Sequence, residues 1–280
     1  MKVAIPDEAK GAFVPRPRNA NKYTVGTVAL IGGSVHYPHA PVMAAMGARA
    51  AGAGLVQLVV PDASRIAAGV WVPEATFTKL ATTCVPPKAD VIAIGMGLGI
   101  NVNTQALVSR ILSGSNGRFV VDADALGILA GWYGKTDGYD PAQGQELVLT
   151  PHEDEAARLL GWSREKVSSD RRAAAIGIAD RYGATVVLKG PETLVVSSDA
   201  KKIYVNETGN PCMALGGMGD LLAGVLAARW AYSKRDAFEA SCAAVWLHGA
   251  AGDETVARGK DPSIANIAET IGEMRTRIPL

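Results

Sequence analysis

The chain has 280 residues and a mass of 29.1 kDa, enough for one large domain or two small ones. Hydrophobic residues make up 48% of it and charged residues 20%, which predicts a sizeable core and excludes disordered, collagen-like and fibrous proteins. The 28 basic and 27 acidic side chains leave a net charge of +1. Because no overall field could attract nucleic acid or an anionic membrane, any phosphate recognition must be local.

Neither the opening segment nor the cysteines indicate export. Asp7 and Glu8 lie where a signal peptide would be apolar, and no uncharged apolar run reaches the ~18 residues that a membrane span needs. Cys84, Cys212 and Cys242 are far apart and lack CxxC spacing, which favours isolated thiols over disulfides or a zinc site. We therefore predict a cytoplasmic protein with no membrane partner and no nucleic-acid partner.

After a lead-in of residues 1–22, where Pro15 and Pro17 disfavour regular structure, short β-branched runs alternate with longer alanine-rich stretches. This alternation is typical of parallel strands joined by crossover helices. The predicted strands are Val25–Ile31, Leu55–Val60, Val91–Ile94, Phe119–Val121, Leu147–Leu149 and Thr185–Leu188. The predicted helices are Pro41–Ala51, Thr104–Leu112, Ala125–Ala130, Glu153–Leu160 and Arg164–Tyr182.

The pattern changes after Lys189. Two short alternating runs, Thr193–Ser197 and Lys202–Val205, are joined by four turn-forming residues, which predicts an antiparallel hairpin at one sheet edge. Apolar residues at helical spacing then predict helices over Leu221–Tyr232 and Ala237–Val256.

No linker, charge block or repeat interrupts this order. We therefore predict a single domain over residues 1–280 with an α/β fold: a doubly wound, mostly parallel sheet flanked by helices, with an antiparallel edge hairpin. Such sheets bind ligands beyond the carboxyl ends of their parallel strands, so motifs at those ends are the candidate functional residues.

The most informative motif is a glycine-rich turn directly before a predicted helix. Gly216, Gly217 and Gly219 allow backbone amides to approach a ligand closely, and the helix N-terminus adds about half a positive charge. With Met218 they form a predicted anion hole of the kind that holds phosphate. Asp220 follows at once; an acid there can simply complement the helix dipole, but it can also accept a proton while the amides hold a transferred phosphoryl group.

Other glycines and acids follow predicted strands. Gly95, Gly97 and Gly99 lack the GxGxxG spacing of a dinucleotide site, and the chain contains no P-loop motif. Asp122 could orient phosphate or a magnesium-bound water, whereas Asp124 fits a helix N-cap equally well.

A histidine and a lysine also lie at predicted strand ends. His152 and Glu155 share one face of a helix, and capping accounts for the acid but leaves the histidine unexplained. Lys189 ends the last parallel strand beside the predicted anion hole, and this position predicts contact with a nucleotide. His36, His39 and His248 do not indicate a metal site.

Six segments resemble, in the same order, the ADP-dependent (S)-NAD(P)H-hydrate dehydratase family of the ribokinase-like superfamily. They are GTVALIGGSVHYPHAPVMAAMGARAAGAGLVQLVVP, DVIAIGMGLG, VVDADALGILA, LTPHEDEAARLLG, VVLKG and TGNPCMALGGMGDLLAGV. The resemblance implies a ribokinase-like fold and repair of NADHX and NADPHX, the forms of NADH and NADPH hydrated at C6. ADP would phosphorylate the C6 hydroxyl, and elimination would restore the cofactor and release AMP and phosphate. It further implies magnesium, a homo-oligomer such as a tetramer, and functional pairing with a separate epimerase.

The resemblance also implies site residues. Asp220 would be the catalytic base. The hydrated cofactor would lie against Ala40, Gly97, Gly99, His152 and Asp220. ADP would lie against Lys189, Gly190, Pro191, Glu192, Thr193 and Gly219. The sequence does not identify the magnesium ligands or the choice between NADHX and NADPHX. The preference for ADP over ATP as phosphoryl donor rests on the resemblance alone.

Three departures from the family pattern bear on these expectations. His39 replaces a common glycine and is expected to reshape the nicotinamide pocket; Met218 replaces a small hydroxyl residue and removes a possible hydrogen bond to phosphate; and Glu153-Asp154 replaces Pro-Gly.

Two alternatives compete with the dehydratase. One is an ATP-dependent small-molecule kinase of the same superfamily, acting on a vitamin precursor or a sugar-like compound. Sugar kinases of this superfamily usually carry Asn-x-x-Glu where this chain has His152-x-x-Glu155, and this difference favours the dehydratase. The other is a non-catalytic nucleotide sensor, which would not require Asp220.

Overall fold

The computed structural model describes residues 4–114, 116–132 and 145–278, and a nine-stranded sheet forms its centre. The strands are β1 (Thr27–Ile31), β2 (Leu55–Val60), β3 (Thr76–Lys79), β4 (Val91–Ile94), β5 (Arg118–Val121), β6 (Glu146–Leu149), β7 (Thr185–Leu188), β8 (Thr193–Val196) and β9 (Ile203–Asn206). Their order is β3-β2-β1-β4-β5-β6-β7-β8-β9. Strands β1 to β7 pair in parallel, and β8 and β9 add the antiparallel edge. The predicted fold class and edge hairpin are confirmed.

Helices cover both faces of this sheet. They are α1 (Asp7–Lys10), α2 (Ala40–Ala51), α3 (Asp62–Trp71), α4 (Val102–Ser113), α5 (Asp124–Trp132), α6 (Glu153–Leu160), α7 (Arg164–Ser169), α8 (Arg171–Tyr182), α9 (Met218–Ser233), α10 (Ala237–Ala257) and α11 (Ile264–Arg277). A 3-10 turn over Pro211–Met213 precedes α9. Strand residues alternate between the two apolar layers; Leu30 packs with α2 and α9, while Ile31 packs on the opposite face with α4 and α5.

The structure corrects several sequence-based boundaries. The predicted helix over Arg164–Tyr182 is two helices, because Asp170 leaves the helical conformation at φ −146° and its carboxylate caps α8 by accepting from the Ala173 amide at 2.8 Å. The lead-in contains the short helix α1, and β3, α3 and α11 were not predicted individually. Residues 1–3 of the predicted lead-in lie outside the described ranges.

The sheet changes direction of winding between β1 and β4. Strand β1 pairs with β2 on one side and with β4 on the other. The chain therefore adds β2 and β3 on one side of β1 and then crosses to its other side to form β4. The Gly33 amide donates to the Met96 carbonyl at 2.8 Å, which holds the two turns side by side at the carboxyl edge. A β-carbon on Gly32 would collide with that same carbonyl. This topological switch point is where a doubly wound sheet opens a ligand crevice.

Helices α2 and α9 touch through their backbones. A β-carbon on Gly224 would collide with the Ala44 carbonyl, and one on Gly47 would collide with the Leu221 carbonyl. Both helices begin at the carboxyl edge of the sheet and run in the same direction: Met43 contacts Gly217 near their starts. The glycines therefore bring two helix N-termini together at the edge where ligands bind.

No helix in the described ranges is long and apolar enough to cross a membrane. All three cysteines are described, and each is a free thiol.

Replacement of Gly224 by alanine should lower the free energy of unfolding by about 1–3 kcal/mol, because overpacking against a backbone carbonyl cannot be relieved by a rotamer change. Gly69→Ala on α3 is the matched control: a β-carbon there meets nothing within 4 Å, so it should be neutral or stabilise by up to about 1 kcal/mol. Urea unfolding of both variants measures this. An equally stable Gly224→Ala protein would refute the close-contact account.

Candidate active site

Polar side chains from successive strands meet at the carboxyl edge of the sheet. Asp122 follows β5, Thr150 follows β6 and Lys189 follows β7, while Asp220 lies in the first turn of α9. Parallel strands end at a common edge, which explains why residues so distant in the chain can share one site.

A buried ion pair lies at the centre of this site. The Lys189 Nζ donates to Asp122 Oδ1 at 2.8 Å and lies 3.6 Å from Glu155 Oε2. The Thr150 hydroxyl donates to the same Asp122 oxygen at 2.7 Å, and Asp122 is only 1% exposed. Burial alone would lower the pKa of Lys189, but the charges of Asp122, Glu155 and Asp220 outweigh it and raise that pKa above its usual value. The lysine is therefore a fixed positive charge at the strand ends.

Asp220 has the opposite electrostatic character. Burial, and then the negative charge of Asp122, raise the pKa of Asp220 to about 8, although Lys189 acts in the other direction. The charges of Asp124 and Glu155 contribute to the increase. A carboxyl group with a pKa near neutrality can take up a proton at the pH of the cell, which is the property required of a general base.

The glycine-rich turn places backbone amides beside these charges. Gly217 has φ +97°, in the left-handed region that favours glycine, and precedes the first residue of α9. The Lys189 Nζ lies 3.4 Å from the point where a β-carbon on Gly219 would be. The amides of Gly219 and Asp220 have no acceptor within the helix, as at any helix N-terminus. Phosphate oxygens are suitable acceptors for such amides.

Met218 does not fit the predicted anion hole. Its amide donates to the Leu215 carbonyl at 3.3 Å, so this N–H closes the turn. Its side chain is 7% exposed and packs in the core, which means that the substitution at this position does not project into the site. The backbone amide of Asp220, a residue predicted as the base but not as part of the anion hole, is available in its place. Gly216 is exposed and lies at the rim of the turn.

The segment before the turn is tied to α10. Asp253 accepts from the Gly209 amide at 2.8 Å and from the Asn210 side chain at 2.9 Å. The Asn210 side chain in turn accepts from the Cys212 amide at 3.1 Å. These bonds fix the entry of the chain into the glycine turn.

The predicted nicotinamide residues meet at the switch point. Gly97 has φ +62°, and a β-carbon there would lie 2.6 Å from Tyr37 Cβ and 2.9 Å from Ala40 Cβ. Gly97 is therefore in contact with Ala40 at the start of α2. The prediction that both residues bind the hydrated nicotinamide requires this proximity. His39, immediately before α2, makes no side-chain capping bond.

Asp124 connects the loop of Gly97 and Gly99 to the acids around Asp220. Its Oδ2 accepts from the Gly99 amide at 2.7 Å, so the carboxylate holds a neighbouring loop, in addition to standing at the start of α5. Ala123 before it has φ +49°, a left-handed conformation that costs about 1 kcal/mol in a residue other than glycine. Such strain is characteristic of functional sites.

His152 is explained by helix capping, contrary to the sequence-based interpretation. Its Nδ1 accepts from the Asp154 amide at 3.1 Å, and the Glu155 carboxylate accepts from the His152 amide at 2.8 Å, which completes a capping box on α6. The ring is nevertheless 47% exposed. Its predicted contact with substrate stays a prediction.

The predicted nucleotide residues form a shaped turn between β7 and β8. Gly190 has φ +138° and Glu192 has φ +51°, and the Thr193 hydroxyl donates to the Gly190 carbonyl at 2.9 Å. Pro191 and Glu192 are exposed. Lys189 differs from the other four residues of the turn, because its ammonium group is paired with the carboxylates of Asp122 and Glu155.

Arg171, which the sequence did not indicate, holds this turn. Its guanidinium donates to the carbonyls of Leu188 and Lys189 at 3.2 Å each, and also to that of Pro191. A lone arginine at the start of a helix carries no motif, so only the folded structure identifies this contact.

No group of three or more His, Cys, Asp or Glu side chains within the described ranges could hold a metal ion. The acids whose charges act on Asp220, in the first turn of α9, are Asp122, Asp124 and Glu155.

Asp220→Asn should change how stability depends on pH. The folded pKa of about 8 exceeds the ordinary value of 3.8, so between pH 4 and 8 the folded carboxyl keeps a proton that the unfolded chain releases. This group therefore makes the wild type less stable as the pH rises through that interval. Urea unfolding should show the variant gaining stability relative to wild type from pH 5 to pH 8, whereas Asp180→Asn on the exposed face of α8 should not. A constant difference across this range would contradict the raised pKa.

The family model described as NAD(P)H-hydrate dehydratase matches residues 28–271. An ADP-dependent (S)-NAD(P)H-hydrate dehydratase from Neisseria meningitidis is 41% identical over 250 residues, covering 86% of this chain and 81% of the relative. A bifunctional NAD(P)H-hydrate repair enzyme from Gloeobacter violaceus is 37% identical over 270 residues, covering 92% of this chain and 51% of the relative, so the chain spans about half of that protein.

A solved structure agrees with these matches. The ADP/ATP-dependent NAD(P)H-hydrate dehydratase from Bacillus subtilis, co-crystallized with ATP and Mg²⁺, superposes with a TM-score of 0.85 at 26% identity, covering 100% of both chains. The expected ribokinase-like fold and the family resemblance are thus confirmed. With the match extending from β1 into α11, the chain belongs to the NAD(P)H-hydrate dehydratase family.

Proposed function

We propose that this protein repairs hydrated nicotinamide cofactors, converting (6S)-NADHX and NADPHX to NADH and NADPH with consumption of ADP and release of AMP and phosphate. The observation that carries the proposal is the position of Asp220: a carboxyl group with a pKa of about 8, in the first turn of α9, beside the fixed charge of Lys189. Family membership supplies the substrate class.

The chemistry must overcome a poor leaving group. Hydroxide does not readily leave C6 of the hydrated ring, whereas phosphate does. Transfer of a phosphoryl group to the C6 hydroxyl therefore removes the main barrier to elimination, and a nucleotide is the donor.

Asp220 is the proposed base for the first step. Its carboxylate accepts the proton of the C6 hydroxyl as the oxygen bonds to the β-phosphorus of ADP, and the bond between that phosphorus and the bridging oxygen breaks to release AMP. A general base of this kind accelerates a reaction by about 10²–10⁴-fold. The raised pKa suits the task, because the group is a stronger base than an exposed aspartate.

The glycine turn and Lys189 are proposed to stabilise the charge on the transferred group. The amides of Gly219 and Asp220 are available donors, with Gly216 and Gly217 shaping the turn. The Lys189 ammonium lies next to Gly219, so it adds positive charge at this point. Preorganised donors in a partly buried site are effective because they do not need to reorient during the reaction.

In the second step the C6–O bond breaks and phosphate departs. The ring nitrogen lone pair assists this departure, and loss of a proton from C5 restores the double bond of the dihydronicotinamide. Atoms balance as hydrate plus ADP giving reduced cofactor, AMP, phosphate and a proton.

The binding surfaces follow the same assignment. We place the hydrated nicotinamide against Ala40, Gly97, Gly99 and His152, where the switch point opens. We place ADP against the turn formed by Lys189, Gly190, Pro191, Glu192 and Thr193 and against Gly219. Arg171 is the residue that keeps this turn in shape.

Magnesium is proposed to enter with the nucleotide. The described acids beside the glycine turn do not form a group that could hold a metal ion by themselves, which fits an ion held mostly by phosphate oxygens and water, with the partly exposed Asp124 facing its hydration shell. When bound, the ion would neutralise charge on the phosphoryl oxygens.

Assembly, location and extent remain those predicted from the sequence: one domain over residues 1–280, a homo-oligomer such as a tetramer, a cytoplasmic location and functional pairing with a separate epimerase. The kinase and sensor alternatives gain no support, because the family and its named relatives are dehydratases and repair enzymes.

Purified protein should restore the absorbance of the dihydronicotinamide and release phosphate at equal rates when given hydrated NADH, magnesium and ADP. Running the assay with ATP identifies the preferred donor, and the rate should rise with pH until the Asp220 carboxyl is deprotonated, near pH 8. Asp220→Asn should lower kcat by about 10²–10⁴-fold while ADP still binds.

Asp180→Asn provides the control and should leave kcat unchanged. Near-normal turnover by Asp220→Asn would eliminate the proposed base. A stable phosphorylated product without reduced cofactor would instead identify a kinase.

A further inference from the structure

A charged network lies between the start of α6 and the predicted nucleotide turn, residues 189–193. Glu153 is the first residue of α6, and its side chain is 26% exposed. The Ser168 hydroxyl, near the end of α7, donates to Glu153 Oε2 at 2.6 Å. Arg171, the first residue of α8, places its Nε 3.6 Å from Glu153 Oε1. One carboxylate therefore joins three helices beside the site.

The guanidinium of Arg171 has different partners on its two sides. Its Nη atoms donate to the carbonyls of Leu188, Lys189 and Pro191. Its Nε is buried and makes no hydrogen bond within the part of the chain that the structure describes. The Glu153 carboxylate is the acid that pairs with this Nε. Attraction between the two charges therefore holds the Nε side of the guanidinium, while backbone carbonyls hold the Nη side.

The nucleotide turn depends on this support because its backbone is strained. Glu192 has φ +51°, a left-handed conformation that costs about 1 kcal/mol in a residue other than glycine. Arg171 Nη2 lies 2.9 Å from the point where a β-carbon on Gly190 would be, so the guanidinium packs directly against the turn. Displacement of the guanidinium would release the carbonyls that keep the turn in this shape.

Lys189 is fixed independently of the arginine. Its amide donates to the Pro151 carbonyl at 2.8 Å, and its ammonium group pairs with Asp122. The ion pair of Glu153 and Arg171 therefore acts on the outer part of the turn, residues 190–193. The positive charge proposed to serve the transferred phosphoryl group stays in place without it.

The carboxylate in this network is a departure from the family pattern. The pattern has proline at the position of Glu153, and proline has no charge to attract Arg171. Asp154, the other acid of the departing pair, lies beside a different arginine: its Oδ1 is 3.5 Å from Nε of the exposed Arg164. The two acids thus have different partners, and Glu153 is the one joined to the nucleotide turn.

We propose that Glu153 is a positioning residue for ADP binding, which it supports by holding Arg171 against the nucleotide turn. The proposal rests on the proposed function, because it takes this turn as the ADP site. A turn that is already held in its binding conformation needs less ordering when the nucleotide arrives, so ADP binds more tightly.

Isothermal titration calorimetry with ADP and magnesium, without hydrated cofactor, tests the proposal independently of turnover. Glu153→Gln preserves the size of the side chain and an acceptor for Ser168 but removes the charge, so it should raise the Kd of ADP about 3–10-fold. Glu165→Gln makes the same change in the first turn of α7, where the side chain is exposed, and should leave that Kd unchanged.

Two further readouts separate positioning from a general structural role. In turnover assays Glu153→Gln should raise the KM for ADP, while kcat and the KM for hydrated NADH stay within about 2-fold of the wild type. In an Arg171→Met background, where the guanidinium is already absent, Glu153→Gln should have no further effect on the Kd of ADP. If Arg171→Met does not fold, the calorimetry and the comparison of KM values decide the question.

An unchanged Kd of ADP in Glu153→Gln, or equal increases in the KM values of both substrates, would overturn the proposal. A wild type that binds ADP but repairs no hydrated cofactor would contradict the proposed function alone. A wild type that binds no ADP would contradict both.

Discussion

The backbone contact between α2 and α9 determines where the parts of the site lie. Gly47 and Gly224 let the two helices approach until carbonyl oxygens of each touch the glycine of the other. Because both helices start at the carboxyl edge, this contact carries the glycine turn of α9 over the ends of β5 to β7. A larger side chain at Gly224 would move the start of α9 away from Lys189 and the strand ends. The packing of two small-residue helices thus has a direct chemical consequence.

That consequence is the electrostatic state of Asp220. The carboxyl group is partly buried and faces the negative Asp122, so its proton is held more tightly than that of an exposed aspartate. Lys189 limits the shift while being neutralised by Asp122 and Glu155. A basic carboxylate and an adjacent fixed cation are complementary: one takes a proton from a hydroxyl, and the other can stabilise an incoming phosphoryl group. The proposed reaction needs both functions, and the structure places Asp220 in the first turn of α9 and the Lys189 ammonium beside that turn.

The sequence predicted the features that depend on local pattern. Strand ends, the glycine turn and the edge hairpin follow from β-branched runs and turn residues, so they were predicted close to where the structure has them. Strand β3 was missed because its residues are largely exposed and provide no apolar run. The Asp124 bond to Gly99, the Arg171 clamp and the pairing of Lys189 with Asp122 join residues far apart in the chain, and no local signal encodes them. The capping role of His152 was missed because an imidazole cap is rare compared with Ser, Thr, Asp or Asn.

The central claim is that a phosphoryl group is transferred to the C6 hydroxyl before the C–O bond breaks. The most direct test is to prepare hydrated NADH with ¹⁸O in that hydroxyl and to follow the label by mass spectrometry after turnover with ADP in unlabelled water. Transfer followed by elimination predicts that each released phosphate carries the ¹⁸O. If the label appeared in water and the phosphate remained unlabelled, the phosphoryl group of ADP would not have been transferred to the C6 oxygen. The assigned roles of Asp220, Lys189 and the glycine turn would then be wrong.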